Sequence, residues 1–396
     1  MFPTDVVIVS GARTPMARYT GVFSEVSAID LGAHAAKCAV ERSGVDPGEF
    51  DHIIFGNVLQ TSSDAIYGAR HVGLKAGLKV ETPAVTVNRL CGSGIEAIAQ
   101  AAQRLLLAEA TMVVAGGMEN MTQAPFVVRG ARTGLKLGGG ALEDFLFVGL
   151  TDSYCGLPMA LTAEKLAGQT GITRADADAY ALRSQQAADA AAKAGVFTEE
   201  IVPVEVKQGR KLTVVTEDDH RRPETTMEML SKLPPSFQKD GIVTAGNASG
   251  IVDGAAAVAV TREKIAKERG LKPLGRIVSW ATVGVDPSIM GIGPVPATRK
   301  ALQLAGLKLE QIDRVEVNEA FAPQYLAVEK ELGLQREKTN VNGGAIALGH
   351  PLAASGTRLV ITVLNELRRK GLKYGLATAC IGGGQGIAII VEALGN

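Results

Sequence analysis

Residues 84–106 read AVTVNRLCGSGIEAIAQAAQRLL and combine a short strand, a glycine-bordered turn and an amphipathic helix. Val85 and Val87 alternate with polar neighbours, as the two faces of a strand require. Apolar residues recur at helical spacing after Gly94. Cys91 therefore lies on a turn at which a strand ends and a helix begins.

This position makes Cys91 a candidate nucleophile. The first N–H groups of a helix are unpaired and carry partial positive charge, which favours a thiolate over a thiol. Gly92 and Gly94 have no side chain that would keep an acyl group from the sulfur. The alternative is that Cys91 is a small buried apolar residue, as most free cysteines are.

Length and composition exclude several classes of protein. At 396 residues the chain can form two or three domains of roughly 150 residues. Its 41 basic and 41 acidic residues cancel, and no basic stripe favours a nucleic-acid partner. The four cysteines lack CxxC or metal-ligand spacing, so we expect free thiols, a reducing compartment and no metal. No apolar run reaches the roughly 18 residues of a membrane span, so we expect a soluble intracellular protein without a removable signal.

The two ends of the chain resemble each other. Strand-like runs alternate with helical patterns in both, which predicts an α/β fold with largely parallel strands. The turn CGSG at 91–94 matches AASG at 353–356 at an offset of 262 positions (353 − 91), and Asp51 matches Asp313 at the same offset. We interpret this as an internal duplication.

The copies differ at one informative place. Two residues separate Asn88 from Cys91, whereas ten separate Asn342 from Ala353, and the longer loop contains His350. If the halves pack about a pseudo-twofold axis, equivalent turns face each other and His350 meets Cys91. A thiol nucleophile needs a base, although a single histidine is more often structural than catalytic.

An insertion with a different residue pattern separates the halves. A capping box at Thr173 and Asp176 predicts a long alanine-rich helix within it. The insertion could lie over the first half as a purely structural element, or it could hold a substrate. The predicted segments are an N-terminal half at 1–119 plus 251–272, an insertion at 120–250 and a C-terminal half at 273–396.

Three further residues of the C-terminal half could carry chemistry. Cys380 lies where a strand meets three glycines, so its thiol could act as acid and base while Gly382 donates its N–H to an oxyanion. Asn318 follows a strand at 314–317, and its amide could orient a water or polarise a carbonyl. The alternatives are a buried small residue for Cys380 and an ordinary turn residue for Asn318.

The C-terminal part of the insertion contains two residues that could bind a ligand. Ser249 lies among small residues in KDGIVTAGNASGIVDGAA at 239–256, which would allow a ligand to approach closely, although a loop or helix cap is an equal alternative. Arg222 lies in the polar run 217–226 and could bind a phosphate, although an exposed arginine usually contacts only water.

Four blocks resemble the signature motifs of the thiolase family. They are NRLCGSG around Cys91, NEAFAPQ around Asn318, NVNGGAIALGHPL around His350 and ACIGGGQG around Cys380, and GNASGIVDGAA belongs to the same pattern. The resemblance runs almost from end to end. The stretches at 62–74 and 286–296 most resemble the 3-ketoacyl-CoA thiolase branch typified by the mitochondrial enzyme.

The resemblance implies an α/β thiolase fold, with duplicated βαβαβαββ halves in an α-β-α-β-α layered arrangement and an inserted loop domain. It implies reversible acyl transfer between CoA thioesters, with acyl-CoA and CoA as the small-molecule partners and no cofactor. It also implies a homo-oligomer, either a dimer or a dimer of dimers, with neither nucleic acid nor membrane as a partner. The expected compartment is the cytoplasm or, in a eukaryote, the mitochondrial matrix.

Carried over by position, the resemblance also implies a role for each candidate residue. Cys91 would be the acylated nucleophile and His350 its base, and Cys380 would deprotonate acetyl-CoA in synthesis and protonate its enolate in cleavage. Asn318, through a water, and His350 would form one oxyanion site, and the N–H groups of Cys91 and Gly382 the other. For CoA, the positions would be Arg222 near the adenine and phosphates, Ser249 on the pantetheine, and Leu150, Met159, Phe237, Met290 and Phe321 around the thioester arm.

Three positions depart from the family pattern. Ala353 replaces the glycine usual after HPL, and Lys165 stands where asparagine is common. Pro158 stands where acetoacetyl-specific members carry a histidine, which argues against narrow acetoacetyl specificity and leaves the preferred acyl length open.

Two other functions stay open on the sequence. A decarboxylating or chain-building condensing enzyme of the same superfold would pair its cysteine with two histidines or with His and Asn, and Cys380 argues against it. A catalytically silent thioester carrier or lipid-binding protein need not keep Cys91, His350 and Cys380 together.

Overall fold

A computed structural model describes residues 3–395, apart from the side chain of Gln208. Residues 1, 2 and 396, at the ends of the predicted halves, lie outside the described residues. The strands are β1 Val6–Arg13, β2 Ala17–Arg18, β3 His52–Gly56, β4 Ala84–Val87, β5 Met112–Glu119, β6 Phe126–Val127, β7 Glu143–Asp144, β8 Thr151–Asp152, β9 Leu157–Pro158, β10 Val204–Gln208, β11 Lys211–Val215, β12 Val252–Arg262, β13 Gly275–Gly284, β14 Arg314–Val317, β15 Tyr374–Ile381 and β16 Gln385–Ala393. The α-helices are α1 Ala28–Ser43, α2 Gly68–Lys75, α3 Ser93–Leu106, α4 Phe145–Gly149, α5 Met159–Thr170, α6 Arg174–Lys193, α7 Met227–Ser231, α8 Glu263–Glu268, α9 Pro294–Ala305, α10 Ala322–Leu332, α11 Ala345–Leu348 and α12 Leu352–Lys370.

The main sheet consists of two halves with equivalent strand order. Its strand order is β14-β15-β16-β13-β1-β12-β5-β3-β4, with β2 paired to β12. One half therefore runs outward from β1 and the other from β13, and the two join through the short antiparallel pairing of Val7 with Arg276 and Ile8 with Gly275.

The expectation of largely parallel strands was wrong. The parallel pairs are β3 with β4, β3 with β5, and β14 with β15, whereas β1, β12, β13 and β16 pair antiparallel with their neighbours. The sequence shows the reason at β15 and β16. Only Gly382, Gly383 and Gly384 separate these two strands, and so short a turn can join only antiparallel strands.

Helices fill the space between the half-sheets and cover their outer faces. Apolar residues of α3 and α12 form one buried core with strands of both halves. On the outside, α1 and α2 pack on the first half-sheet, and α6, α9 and α10 pack on the second. The α-β-α-β-α arrangement predicted from the motifs is confirmed.

The two central helices touch at a pair of equivalent glycines. A Cβ at Gly94 would lie 2.5 Å from the backbone nitrogen of Thr357, and one at Gly356 would lie 2.6 Å from that of Ile95. Both contacts obey the same offset (356 − 94 and 357 − 95 are both 262), so the pseudo-twofold axis passes between these helices. Only glycine permits so close an approach, which brings the start of α3 beside the start of α12.

Two equivalent aspartates, one in each half, make equivalent hydrogen bonds. Asp51, before β3, accepts the N–H groups of Thr111 (2.8 Å) and Met112 (3.2 Å) at the start of β5. Asp313, before β14, accepts the equivalent N–H groups at 373 and 374, both at 2.9 Å, at the start of β15. The sequence repeat is therefore a repeat of structure.

The segment between the halves is anchored by a buried arginine. The predicted capping box at Thr173 and Asp176 is present at the start of α6. Arg13 of β1 is fully buried and binds Glu200 at 2.8 Å and Asp218 at 2.7 Å, both in this segment. These bonds hold the insertion against the first half. In the part of the chain that the structure describes, no helix is long and apolar enough to cross a membrane.

The close packing at the start of α12 can be tested by paired glycine substitutions. A Cβ at Gly117 of β5 would lie 2.0 Å from the carbonyl oxygen of Ala353, whereas one at Gly168 of α5 meets nothing within 4 Å. We expect Gly117→Ala to lower the free energy of unfolding by about 1–3 kcal/mol, because the backbone at Ala353 must move to make room for the new methyl group. The control Gly168→Ala should raise it by about 0.5–1 kcal/mol. Urea unfolding of both variants measures this, and equal stabilities would contradict the packing described.

Candidate active site

One cavity of about 820 Å³ gathers most of the predicted site residues. The cavity lies between the insertion and the starts of the two central helices, α3 and α12. Cys91 and His350 line it, and so do all seven residues predicted to contact CoA: Leu150, Met159, Arg222, Phe237, Ser249, Met290 and Phe321.

Cys91 lies on a turn between a strand and a helix, as the sequence predicts, and the structure shows that this turn is strained. Strand β4 ends at Val87, a short 3₁₀ helix spans Leu90–Gly92, and α3 follows. Leu90 has φ 47°, a left-handed conformation that is costly for a residue with a side chain. The hydroxyl of Ser93 holds this turn, since it donates to the Leu90 carbonyl at 2.7 Å and accepts the Arg89 N–H at 2.9 Å.

The thiol of Cys91 is not stabilised as a thiolate in the free protein. Burial raises its pKa to about 11, although the N–H groups of Gly382 and of Cys91 itself oppose this. Desolvation of the charged sulfur outweighs these N–H groups, so the free chain favours the thiol over the expected thiolate. A base must therefore take the proton when the sulfur attacks.

His350 is oriented by bonds at both ring nitrogens. Its Nδ1 lies 2.5 Å from the Ser355 hydroxyl, which donates to the Pro351 carbonyl at 3.2 Å. The hydroxyl therefore accepts from Nδ1–H. The other nitrogen, Nε2, is then unprotonated and accepts a hydrogen bond from the Asn318 side-chain amide nitrogen at 3.3 Å.

The His350 ring is neutral at physiological pH. Burial, with a smaller contribution from the Arg358 charge, lowers its pKa to about 3. A neutral imidazole whose Nε2 faces the cavity can accept a proton from a thiol. The predicted base thus has the required tautomer and protonation state.

Cys380, Asn318 and Gly382 lie directly behind the cavity wall. Cys380 is fully buried at the end of β15 and packs with Met290 and Ala320. Burial and the neighbouring Cys91 raise its pKa well above the usual value, so it is also a thiol. The backbone N–H of Gly382 acts on Cys91, since it lowers the pKa of that thiol. The amide oxygen of Asn318 is buried and has no hydrogen-bond partner within residues 3–395.

The outer part of the cavity is polar. Arg222 is exposed, with its backbone N–H held by the Gln185 side chain at 2.9 Å. Its neighbour Arg221 differs, because it is paired with Asp189 and Glu217. The Arg222 guanidinium, which has no close carboxylate among the described residues, is the one available to an anionic ligand.

Ser249 connects this outer part to the base. Its N–H donates to the Ala320 carbonyl at 3.0 Å, and the next residue, Gly250, accepts the His350 N–H at 2.9 Å. The ring of His220 packs on Gly250, where a Cβ would lie 2.2 Å from its Nε2.

Sequence reasoning missed Ser355 as the partner of His350. A signal for it existed, because Ser355 is the counterpart of Ser93 in the repeated turns CGSG and AASG. It also missed Glu119, whose carboxylate is buried beside the site. No sequence motif indicates that this carboxylate contacts both halves, since its partners come from distant segments.

The three departures have local explanations. The Ala353 methyl fits because Gly56 faces it, where a Cβ would be 3.3 Å away. Pro158 lines the cavity with a ring that offers no donor. Lys165 is exposed, and its ammonium donates to the Ser288 hydroxyl at 2.5 Å, which donates to Asp286 at 2.8 Å. Lys165 thus supports the loop that carries Met290.

Comparison with known proteins identifies the family. The profile of the thiolase N-terminal domain matches residues 6–264 and that of the thiolase C-terminal domain residues 271–393. The chain is 54% identical to the mitochondrial 3-ketoacyl-CoA thiolase of Homo sapiens, with 98% of each chain covered. It is 50% identical to the acetyl-CoA acetyltransferase of Escherichia coli (strain K12), covering 98% of this chain and 99% of the relative. The crystal structure of human mitochondrial 3-ketoacyl-CoA thiolase in complex with CoA has a TM-score of 0.96 at 54% identity, with 98% of each chain covered.

The chain therefore belongs to the thiolase family. It is an acyltransferase that moves acyl groups between CoA thioesters, and its fold and family are those predicted from the motifs.

The contact between Ser355 and His350 predicts a loss of activity on removal of the hydroxyl. In Ser355→Ala the Nδ1–H loses its acceptor, both tautomers become populated, and kcat should fall by about tenfold or more. Steady-state kinetics with acetoacetyl-CoA and CoA measures this. The control is Ser43→Ala, which removes a buried hydroxyl bonded to the Val40 carbonyl, away from the cavity. Equal kcat in the two variants would contradict the role of Ser355.

The buried His350 also predicts a pH dependence of stability. Its pKa is lowered from the ordinary 6.5 to about 3 in the folded chain, so between these values the unfolded chain binds more protons. This contribution to stability is therefore lost as the pH falls from 6.5. We expect His350→Asn to lose less unfolding free energy than the unsubstituted chain between pH 7 and pH 5, measured by urea denaturation. The buried carboxylates are common to both proteins, so parallel pH dependences would contradict the assignment.

Proposed function

We propose that the chain cleaves 3-oxoacyl-CoA with CoA into acetyl-CoA and a shortened acyl-CoA, and runs the reverse Claisen condensation, through an acyl group on Cys91. The observation that carries this proposal is the common cavity of Cys91, His350 and the seven CoA positions, with Cys380 and Gly382 against Cys91. The likeness to named 3-ketoacyl-CoA thiolases supports the substrate class.

In the first step the Cys91 sulfur adds to the 3-carbonyl carbon while His350 Nε2 takes the thiol proton. The oxyanion accepts from the N–H groups of Cys91 and Gly382, and each such donor contributes roughly 3–4 kcal/mol to the transition state. The bond between carbons 2 and 3 then breaks and leaves acetyl-CoA as its enolate. The enolate oxygen accepts from protonated His350 and from a water held by Asn318, whose free amide oxygen supports this role.

Cys380 completes the first step and begins the second. Its thiol donates a proton to carbon 2 of the enolate, which releases acetyl-CoA. The Cys380 thiolate then takes the proton of the incoming CoA thiol, and the CoA sulfur attacks the acyl group on Cys91. His350 returns its proton to Cys91 as the new thioester leaves. No metal or organic cofactor is required in this scheme.

The walls near Cys91 support acyl groups longer than acetyl. Met121, Leu150 and Leu352 line the cavity and belong to the apolar cluster that Cys91 contacts. Pro158 adds an apolar ring where a histidine would narrow the choice of substrate. We therefore favour 3-oxoacyl-CoA substrates over acetoacetyl-CoA alone.

We also propose that the chain is a homo-oligomer. Strand β4 is the last strand of the sheet, so its outer edge offers unpaired N–H and C=O groups to a second copy. Ile66 and Tyr67 lie beside this edge and are 67% and 55% exposed. The segment 126–142 also exposes the apolar side chains of Phe126, Leu137 and Leu142, which supports the pairing of two dimers. The compartment is proposed to be the cytoplasm or the mitochondrial matrix, the latter supported by the mitochondrial relative.

The two cysteines should separate the half-reactions. Cys91→Ser should abolish turnover, because an alcohol is a far weaker nucleophile than the thiol. Cys380→Ser should still form the acyl group on Cys91, detected by mass spectrometry after acetyl-CoA, but should lose carbon–carbon bond formation. Full condensation activity in the Cys380 variant would refute its role. Thiolysis rates over a series of 3-oxoacyl-CoA lengths would establish the preferred acyl chain.

A further inference from the structure

A buried carboxylate outside the cavity joins the two halves of the site. Glu119 ends β5, is fully buried and does not line the cavity. One of its oxygens accepts the Leu59 N–H at 2.9 Å and the Asn57 amide at 3.1 Å. The other accepts the Val58 N–H at 3.2 Å and the Ala353 N–H at 3.1 Å. The donors therefore come from the loop after β3 and from the start of α12.

One arm of this network leads to the nucleophile. Val58, held through its N–H by Glu119, accepts the Asn88 amide at its carbonyl at 3.2 Å. The Asn88 oxygen in turn accepts the N–H of Leu90 at 3.0 Å. Leu90 has the left-handed backbone that directs Cys91 into the cavity.

The other arm leads to the base. Ala353 is in the first turn of α12, and Ser355 of the same turn bonds Nδ1 of His350. Both arms are short: the bonds to Ala353 and His350 are buried, whereas the bonds through Asn88 are exposed. A displacement of the Glu119 carboxylate would thus move the sulfur and the imidazole relative to each other.

The geometry requires Glu119 to be an anion when all its partners are satisfied. All four partners are N–H donors, and a protonated acid would place its O–H against one of them. No ion pair of Glu119 occurs among the residues that the structure describes, and the carboxylate of Asp253 is a like charge that raises the pKa of Glu119. The start of α12 and the N–H groups stabilise the charge. Burial nevertheless raises the pKa of Glu119 to about 7, and its charge contributes to the raised pKa of Cys91.

We propose that Glu119 is a positioning residue that sets the Cys91 turn against His350 and places a negative charge near the nucleophile. The effect on turnover rests on the proposed function, whereas the effect on the thiol does not.

Three variants test the proposal. Glu119→Gln removes the charge and turns one acceptor into a donor that faces two N–H groups. Glu119→Asp keeps the charge but withdraws it by one methylene. Glu164→Gln is the matched control, since Glu164 is also buried and accepts the backbone N–H groups of Ile242 and Val243, at 2.8–3.0 Å.

The readouts are iodoacetamide alkylation of the Cys91 peptide against pH, and kcat and KM for thiolysis. In Glu119→Gln we expect the alkylation midpoint to shift to lower pH than in the unsubstituted chain, because a like charge has been removed from the thiolate. We expect kcat to fall by about tenfold to a hundredfold with KM unchanged, because the reacting groups are displaced. Glu119→Asp should lower kcat but keep the midpoint of the unsubstituted chain, and Glu164→Gln should lower thermal stability without moving the midpoint.

An unchanged midpoint in Glu119→Gln, with a kcat no lower than that of Glu164→Gln, would overturn the proposal. If Glu119→Gln does not fold, Glu119→Asp decides, and an unchanged kcat there would overturn the positioning role. The unsubstituted chain could also lack thiolytic activity while Glu119→Gln still shifts the alkylation midpoint. That result would support the effect of the Glu119 charge on Cys91 and would refute the proposed function.

Discussion

The close approach of α3 and α12 is the constraint on which the site depends. Gly94 and Gly356 let each helix contact the backbone of the other, so the residues at the two helix starts share one small volume. Cys91 comes just before one helix and His350 just before the other. A side chain at either glycine would separate the helices, and with them Cys91 and His350, the proposed nucleophile and base.

Burial decides the chemistry of this volume. Desolvation keeps Cys91 and Cys380 as thiols and His350 as a neutral imidazole, so the resting site contains no charged reactive group. Charge then develops only when a substrate is attacked, where fixed N–H donors can stabilise it without reorganisation. Proton transfer between paired groups replaces a preformed thiolate, and this explains why the base must be aligned so closely by Ser355.

The two halves carry different residues at equivalent positions of the proposed site. At the 262-residue offset, Cys91 corresponds to Ala353, Cys380 to Met118, and Asn318 to Gly56. At each of these positions the proposed reactive group of one half corresponds to an apolar residue or a glycine in the equivalent place of the other half. The result is one site built from both halves, with Glu119 of the first half bonded across to Ala353 of the second.

The sequence by itself determined the elements, the repeat and the family. Hydrophobic period, the capping box at Thr173 and the glycine-bordered turns are local signals, so β4, α3 and α6 follow from neighbouring residues. The motifs also named the candidate site residues, and most of them line one cavity. The tertiary structure alone decided strand direction, the protonation of Cys91 and the partners of His350 and Glu119. Those properties depend on desolvation and on contacts between segments distant in the chain, and neither can be read from local sequence.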